Sequence, residues 1–242
     1  MDSIIQLNAI SKSFKNQDVL NDISLDIQPG EIYGLLGPSG SGKTTMIKMM
    51  IGLELPSEGS VTFKGKELKA KDLYPSIGYM AQSDALYEEL TAKENLLFTA
   101  SLYGLSKSKR KKQIEKVMEM VDLLPHLDKP VSQYSGGMKR RLSLAIALLH
   151  DPDVLFLDEP TVGIDPVLRK EIWDGFHALK EEGRTIIITT HVMDEAERCD
   201  RLGLLQHGKI ISSDTPDAIK SQYGVNSIED VFLKNGGVSL EN

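Results

Sequence analysis

The chain has 242 residues, with 28 basic and 35 acidic side chains and a net charge of −7, a balance that argues against a nucleic-acid coat protein, which needs cationic surface to meet phosphates. With 40% apolar and 26% charged residues it has the composition of an ordinary globular protein with a sizeable core, and intrinsic disorder is not expected. A single cysteine, Cys199, rules out an internal disulfide, no basic-apolar leader opens the sequence, and the most apolar runs, Leu142 to Leu149 and Thr185 to Thr190, fall short of the ~20 residues of a membrane helix; these features point to the cytosol and to a peripheral role at any membrane.

In chain order, Ile23, Leu25 and Ile27 alternate with Ser24 and Asp26, the period-two mark of a half-buried antiparallel strand that Pro29-Gly30 ends. Ile32 to Leu36, Val154 to Leu157 and Ile186 to Ile188 are apolar runs suited to parallel central strands buried on both faces. Ile77 to Ala81 reads as a further strand. From Thr91 the pattern turns helical, opened by the capping box Thr91-Ala-Lys-Glu94, and helical structure is expected to about Leu149. Lys107 to Lys112 carries five basic residues and reads as the solvated face of a helix continuing through Val117, Val121 and Leu124. Asp165-Pro166 is the N-cap and first-turn proline of a helix over Val167 to Glu182, closed by Gly183.

Ligands of open α/β sheets bind beyond the carboxyl ends of the strands, so the segments after the apolar runs converge on one edge. After the first run, Gly37-Pro38-Ser39-Gly40-Ser41-Gly42-Lys43-Thr44 fits the phosphate loop G-x-x-x-x-G-K-[ST], and a helical pattern opens at Thr45. Its glycines let backbone N–H groups turn inward around phosphate oxygens, Lys43 reaches the β- and γ-phosphates, and the Thr44 hydroxyl ligates Mg²⁺. After the second run, Asp158 is placed to hold Mg²⁺ through its shell. If the strand persists, Glu159 points the other way and is the candidate to polarise an attacking water. As an alternative both carboxylates cap the turn before Pro160; a phosphate loop in the same chain favours the functional reading. After the third run, His191 can hydrogen-bond a terminal phosphate, and the Gln82 amide, after Ile77 to Ala81, can contact metal or water.

Tyr134-Ser135-Gly136-Gly137-Met138-Lys139-Arg140 precedes a helix with Leu142, Ala145, Ile146 and Leu149 at helical spacing. Its N-terminus can offer N–H groups to a second anion, and Ser135 reads equally well as an ordinary N-cap.

Taken in order, the phosphate loop at Gly37 to Thr45, Gln82, Ser135-Gly136-Gly137, Asp158-Glu159, Gly163-Ile-Asp165 and His191 resemble the motifs of the nucleotide-binding subunits of ABC transporters, over nearly the whole chain. The resemblance implies an α/β P-loop NTPase (RecA-like) fold, a mixed-sheet core with an N-terminal antiparallel β subdomain and an inserted helical subdomain. On that pattern 1–83 and 151–212 form the core, 84–150 the helical part and 213–242 a C-terminal extension. It implies ATP and Mg²⁺ as ligands, with Gly37 to Thr45, Gln82, Ser135, Gly136, Gly137 and Asp165 around the nucleotide and Phe14 stacked on adenine. Thr44, Gln82 and Asp158 then serve the metal, and Lys43, Glu159 and His191 the reaction.

In such proteins two subunits close head-to-tail over two ATP molecules, so Ser135, Gly136 and Gly137 meet the γ-phosphate held by the partner's Lys43. The implied partners are a second ABC subunit, a homodimer being favoured, and integral membrane permease subunits contacted from the cytoplasmic face of the cell membrane through a groove near Ala85-Leu86-Tyr87. Nucleic acid is not an implied partner. Met138 stands where the family commonly has Gln, which changes side-chain contacts but not the backbone N–H groups. Ser135 to Leu144, Thr161 to Pro166 and Ser227 to Leu233 resemble the branch that exports drugs, antibiotics or lipids. The alternative is a soluble ABC-type ATPase acting on ribosomes or DNA; such proteins usually carry two cassettes or a long coiled coil, and neither appears. A GTPase lacks its Asn-Lys-x-Asp motif here, and a kinase leaves Ser135-Gly-Gly137 and His191 unexplained.

Overall fold

The computed structural model describes residues 3–15, 17–68 and 73–235. The chain forms two compact units, 1–68 with 187–242, and 69–186. Residues 236–242 of the expected C-terminal extension lie outside the described residues.

In the first unit, β1 (Ile5–Phe14) pairs antiparallel with β2 (Gln17–Ile27) on one side and β4 (Glu58–Phe63) on the other, and β5 (Lys66–Glu67) completes the order β2-β1-β4-β5. Ile23, Leu25 and Ile27 are buried, Ser24 is exposed and Asp26 half-buried, as the alternation requires of a sheet with one face in the core. A second set of strands holds β3 (Ile32–Leu36), parallel to β9 (Arg201–Gln206), which pairs antiparallel with β10 (Lys209–Asp214). All five residues of β3 are buried, because a parallel strand is covered on both faces. Packing there is tight: a Cβ on Gly34 would lie 2.7 Å from Cys199 Sγ and 2.7 Å from Leu202 Cδ2. Helices α1 (Lys43–Met50), α6 (Met193–Ala196), α7 (Pro216–Tyr223) and α8 (Ile228–Asn235) belong to this unit.

In the second unit, β6 (Ile77–Met80) lies parallel to β7 (Val154–Asp158), with Ile77 opposite Val154 and Met80 opposite Leu157. Strand β8 (Thr185–Thr190) begins in this unit and runs into the first. The capping box is present, with Thr91 accepting from the Glu94 amide at 3.1 Å and Glu94 accepting from the Thr91 amide at 2.8 Å. The helical stretch it opens is not continuous to Leu149. It comprises α2 (Ala92–Leu102), α3 (Lys107–Met120) and α4 (Gly136–Leu148). Gly104, at φ 64°, turns the chain out of α2, and Ser106 caps α3 by accepting from the Lys109 amide. Short 3₁₀ turns at Leu124–His126 and Val131–Gln133 fill the second gap. In α3, Ile114, Val117 and Met118 are buried and Lys107, Lys109, Lys111 and Lys112 exposed, the amphipathic division expected of a solvated basic face. Helix α5 (Pro166–Glu181) is capped by Asp165, whose Oδ1 accepts from the Leu168 amide at 3.1 Å. Among the described residues no helix is long and apolar enough to cross a membrane.

Candidate functional site

The phosphate loop leaves β3 and enters α1. Its turn needs glycine at particular points. Gly40 and Gly42 have φ of 77° and 108°, and a Cβ on Gly37 would sit 2.2 Å from the Leu205 carbonyl oxygen. The buried ammonium of Lys43 lies inside the turn and donates to the carbonyls of Gly37 at 2.7 Å and Pro38 at 3.0 Å. Beside it Ser41 is buried, and among the described residues its Oγ has no hydrogen-bond partner. A buried hydroxyl without a partner costs stability, so its retention points to a ligand group that pairs with it. Glycines too close to neighbours to carry a side chain, an orphaned hydroxyl and a lysine at the bowl of the loop together fit a nucleotide phosphate chain.

His191 follows β8, held by a local turn in which the Val192 amide donates to Thr190 Oγ1 at 3.0 Å and that hydroxyl donates to the buried Glu195 carboxylate at 2.7 Å. His191 lines a 290 Å³ pocket with Gly37 and Pro38, so the histidine and the start of the phosphate loop share one cavity. Phe232 and Leu233 of α8 line it too. Phe14, at the end of β1, is 44% exposed, with Lys12 Nζ 4.8 Å from the ring centroid. An exposed ring of this kind is open to stacking.

In the second unit, Asp158 ends β7 and is buried. The strand does not persist through Glu159, so the expected alternation of the two carboxylates fails: Glu159 adopts a left-handed backbone, φ 54°, and turns the chain toward Pro160. The buried guanidinium of Arg140 meets this turn. Its Nη2 donates to the carbonyls of Asp158 and Glu159, and its Nη1 to those of Ala81, at 2.7 Å, and Gln82, at 2.9 Å, with Asp84 Oδ1 at 3.4 Å. Strand β6 stops at Met80, one residue before the expected end, and Gln82 lies exposed in the bend that follows.

Ser135 is the N-cap of α4, its Oγ accepting from the Met138 amide at 3.2 Å. Gly136 meets nothing within 4 Å of an added Cβ, whereas Gly137 would place one 3.2 Å from the Gly163 carbonyl. The glycine at 136 is thus not demanded by packing within the chain. Gly163, at φ 77°, and the Asp165 cap shape the following turn. Tyr87 and Phe98, both exposed, meet edge to face with centroids 5.2 Å apart. The buried Asn95 fixes that loop, accepting from the Tyr87 amide at 2.9 Å and donating to the carbonyls of Tyr87 and Thr91 at 3.0 Å each.

Sequence reasoning assigned no role to Arg140, and it placed Ser41 at the nucleotide without showing that its hydroxyl is buried unpaired among the described residues. Arg140 had a signal: with Leu144, Ala147 and Leu148, all buried, it falls at helical spacing, so the arginine occupies the inward stripe. Ser41 had none, since its lack of a partner depends on the folded surroundings.

A glycine-rich loop between a buried parallel strand and a helix N-terminus, with its lysine inside the turn, defines an α/β protein of the P-loop NTPase class. The ABC transporter family model matches residues 20–162, more than half of the chain, and the chain belongs to that family. It is 39% identical over 241 residues to the probable multidrug ABC transporter ATP-binding protein YbhF of Escherichia coli (strain K12), covering 99% of this chain and 42% of that protein. To the Nod factor export ATP-binding protein I of Rhizobium sp. (strain N33) it is 43% identical over 234 residues, covering 96% of this chain and 77% of that one. The chain thus spans less than half the length of the E. coli relative. Among solved structures, the ATP-binding subunit of an ABC transporter superposes with a TM-score of 0.88 at 29% identity, covering 96% of this chain and 99% of that one. A dimeric ATP-binding cassette in a post-hydrolysis state, bound to ADP and Pi, superposes at 0.81 with 27% identity, covering 87% and 98%. The chain is an ABC ATP-binding domain, of a class whose members are ATPases.

Proposed function

We propose that this chain is the ATP-hydrolysing subunit of an exporter-type ABC transporter, peripheral on the cytoplasmic face of the cell membrane, which dimerises over two Mg-ATP and drives membrane permease subunits. The observation that carries the reading is the phosphate loop, with Lys43 folded into its bowl beside a buried Ser41 hydroxyl that has no partner.

Lys43 exchanges its loop carbonyls for the β- and γ-phosphates, and Ser41 and the loop amides of Gly37 to Thr45 complete the cradle. Phe14 covers the adenine. Thr44, Asp158 and Gln82 would hold Mg²⁺, which supplies positive charge to the phosphate oxygens as the bond to the leaving group loosens. Glu159 polarises the attacking water, and His191 hydrogen-bonds the γ-phosphate. The N-terminus of α4, with Ser135, Gly136 and Gly137, presents amides to the γ-phosphate of a second copy, with Asp165 at the same junction; the absence of any packing demand for glycine at 136 supports a role outside the chain. Hydrolysis then removes a bridge between two surfaces. Tyr87 and Phe98 offer an exposed aromatic patch for a cytoplasmic helix of the permease. The export names of the relatives support the direction of transport, and the helical segment 84–150 is read as the subdomain that carries the signature.

The test is phosphate release from Mg-ATP by the purified chain and by Glu159→Gln, with light scattering of both. Turnover that is lost in Glu159→Gln, together with a dimer that persists in saturating Mg-ATP, supports the reading. A chain that binds ATP without turnover overturns it. Co-purification with ribosomal or DNA-repair proteins instead of a membrane protein keeps the ATPase and rejects the transporter.

A further inference from the structure

We infer that Arg140 is a positioning residue for hydrolysis: its guanidinium ties the loop after β6 to the turn after β7, and so aims the Glu159 carboxylate from the helix that carries Ser135-Gly136-Gly137. The inference rests on the proposed role of Glu159 as the group that polarises water.

The geometry is that of a single cation shared by two loops. Arg140 is buried, and one edge of its planar fork serves Ala81 and Gln82 while the other serves Asp158 and Glu159, all four through backbone carbonyls. Asp84 contributes the only carboxylate in this set, and its Oδ1 also accepts from the Ser143 hydroxyl at 2.7 Å, one turn further along α4. Hydrogen bonds from a charged donor are stronger than neutral ones, and a guanidinium presents its donors in a rigid plane that reaches acceptors on two sides at once. A lysine ammonium, with three donors on one atom, keeps the charge but cannot span both loops.

Glu159 gives the arrangement its purpose. A glutamate in the left-handed backbone region is strained, and such conformations persist where the surroundings over-determine them. Here the carbonyls of the two peptide units that flank the Glu159 Cα turn toward one guanidinium, which fixes the direction in which the Glu159 side chain leaves the backbone. Gly136 and Arg140 are one helical turn apart on α4. Displacement of this helix therefore acts directly on the carbonyls that set Glu159 and on Gln82, without passing through the phosphate loop. A helix whose N-terminus meets a partner's nucleotide thereby reports that contact to the water-polarising carboxylate of its own chain.

The experiment compares Arg140→Lys, Arg140→Gln and Glu159→Gln with the unaltered chain, reading kcat and KM for Mg-ATP, the Kd of a fluorescent ATP analogue, and the melting temperature. A misaimed base lowers kcat by on the order of 10- to 100-fold. That loss is expected in both Arg140 variants, Arg140→Lys being the milder, with analogue affinity measured in EDTA within about twofold of the unaltered chain, since none of the carbonyls that Arg140 holds belongs to the phosphate loop. Arg140 variants that keep kcat while Glu159→Gln loses it overturn the inference and leave the Glu159 role standing. Loss of kcat, affinity and melting temperature together in Arg140→Lys shows a merely structural arginine and also overturns it. If Glu159→Gln itself retains full turnover, the role of Glu159 falls first and the inference with it. Should Arg140→Gln not fold, Arg140→Lys decides by the same split.

Discussion

Lys43 Nζ lies 2.7 Å from the carbonyl oxygen of Gly37, so the cation of the phosphate loop is held by the first glycine of that same loop. The ammonium is stored where it is used, which keeps a buried charge hydrogen-bonded and leaves a short path to a phosphate. Lys43→Ala is expected to reduce turnover by about 100-fold or more, the cost of losing one preorganised charge at a reacting phosphate. Thermal unfolding with and without Mg-ATP checks it independently: the upward shift of the melting temperature by nucleotide should vanish in the variant.

Gly42 combines a φ of 108° with a Cβ direction that ends 2.6 Å from Leu20 Cδ2. Gly42→Ala is therefore expected to lose about 1–3 kcal/mol of stability from backbone strain, before any effect on nucleotide. Gly30, with φ 76° and nothing within 4 Å of an added Cβ, is the control. Gly30→Ala carries the backbone term alone and should melt above Gly42→Ala.

Ser41 tests the opposite balance. Its hydroxyl is buried without a partner, so Ser41→Ala removes an unsatisfied group and should leave the nucleotide-free protein as stable as before, or more stable by up to about 1 kcal/mol. Mg-ATP affinity should fall several-fold, measured by titration calorimetry. A parallel loss of stability and affinity would show that the hydroxyl serves the fold rather than the ligand.

His150 stacks on Tyr103 with ring centroids 3.7 Å apart, and its Nε2 lies 2.8 Å from the Ile77 carbonyl. Burial holds the imidazole pKa below its ordinary value, with the bond to Ile77 and the charge of Asp151 opposing in part. The unfolded chain therefore binds the proton more readily than the folded one, and stability from this group is complete above the unfolded value of about 6.5. It is lost as pH falls from there through the lowered folded value. Urea unfolding midpoints should drop across that acid range, and His150→Gln, which retains a donor for Ile77 and does not titrate, should flatten that part of the profile.

Several parts of the molecule were legible from neighbouring residues alone. The phosphate loop is written as spaced glycines, Gly37, Gly40 and Gly42, before Lys43 because its turn is a local demand, and Gly40 and Gly42 take positive φ. Thr91 with Glu94, and Asp165 with Pro166, mark helix starts because caps involve partners three residues apart. The end of strand β2 followed from apolar alternation, and β3 and β7 from continuous apolar runs, signals that report burial and not a partner.

Neighbouring residues alone were enough for the expected class of chemistry: a phosphate loop, a pair of carboxylates after an apolar strand expected to serve metal and water, and the order of the motifs around them. That β7 ends at Asp158 and that Arg140 joins the turns at Gln82 and Glu159 emerge only from the folded chain, because Arg140 lies 19 residues from Glu159 and 58 from Gln82. The tertiary structure also decided that the Ser41 hydroxyl has no partner among the described residues and that His191 shares a cavity with Gly37. Periods and caps repeat over a few residues and can be read along the chain; a guanidinium that serves two distant loops is visible only once packing has brought them together.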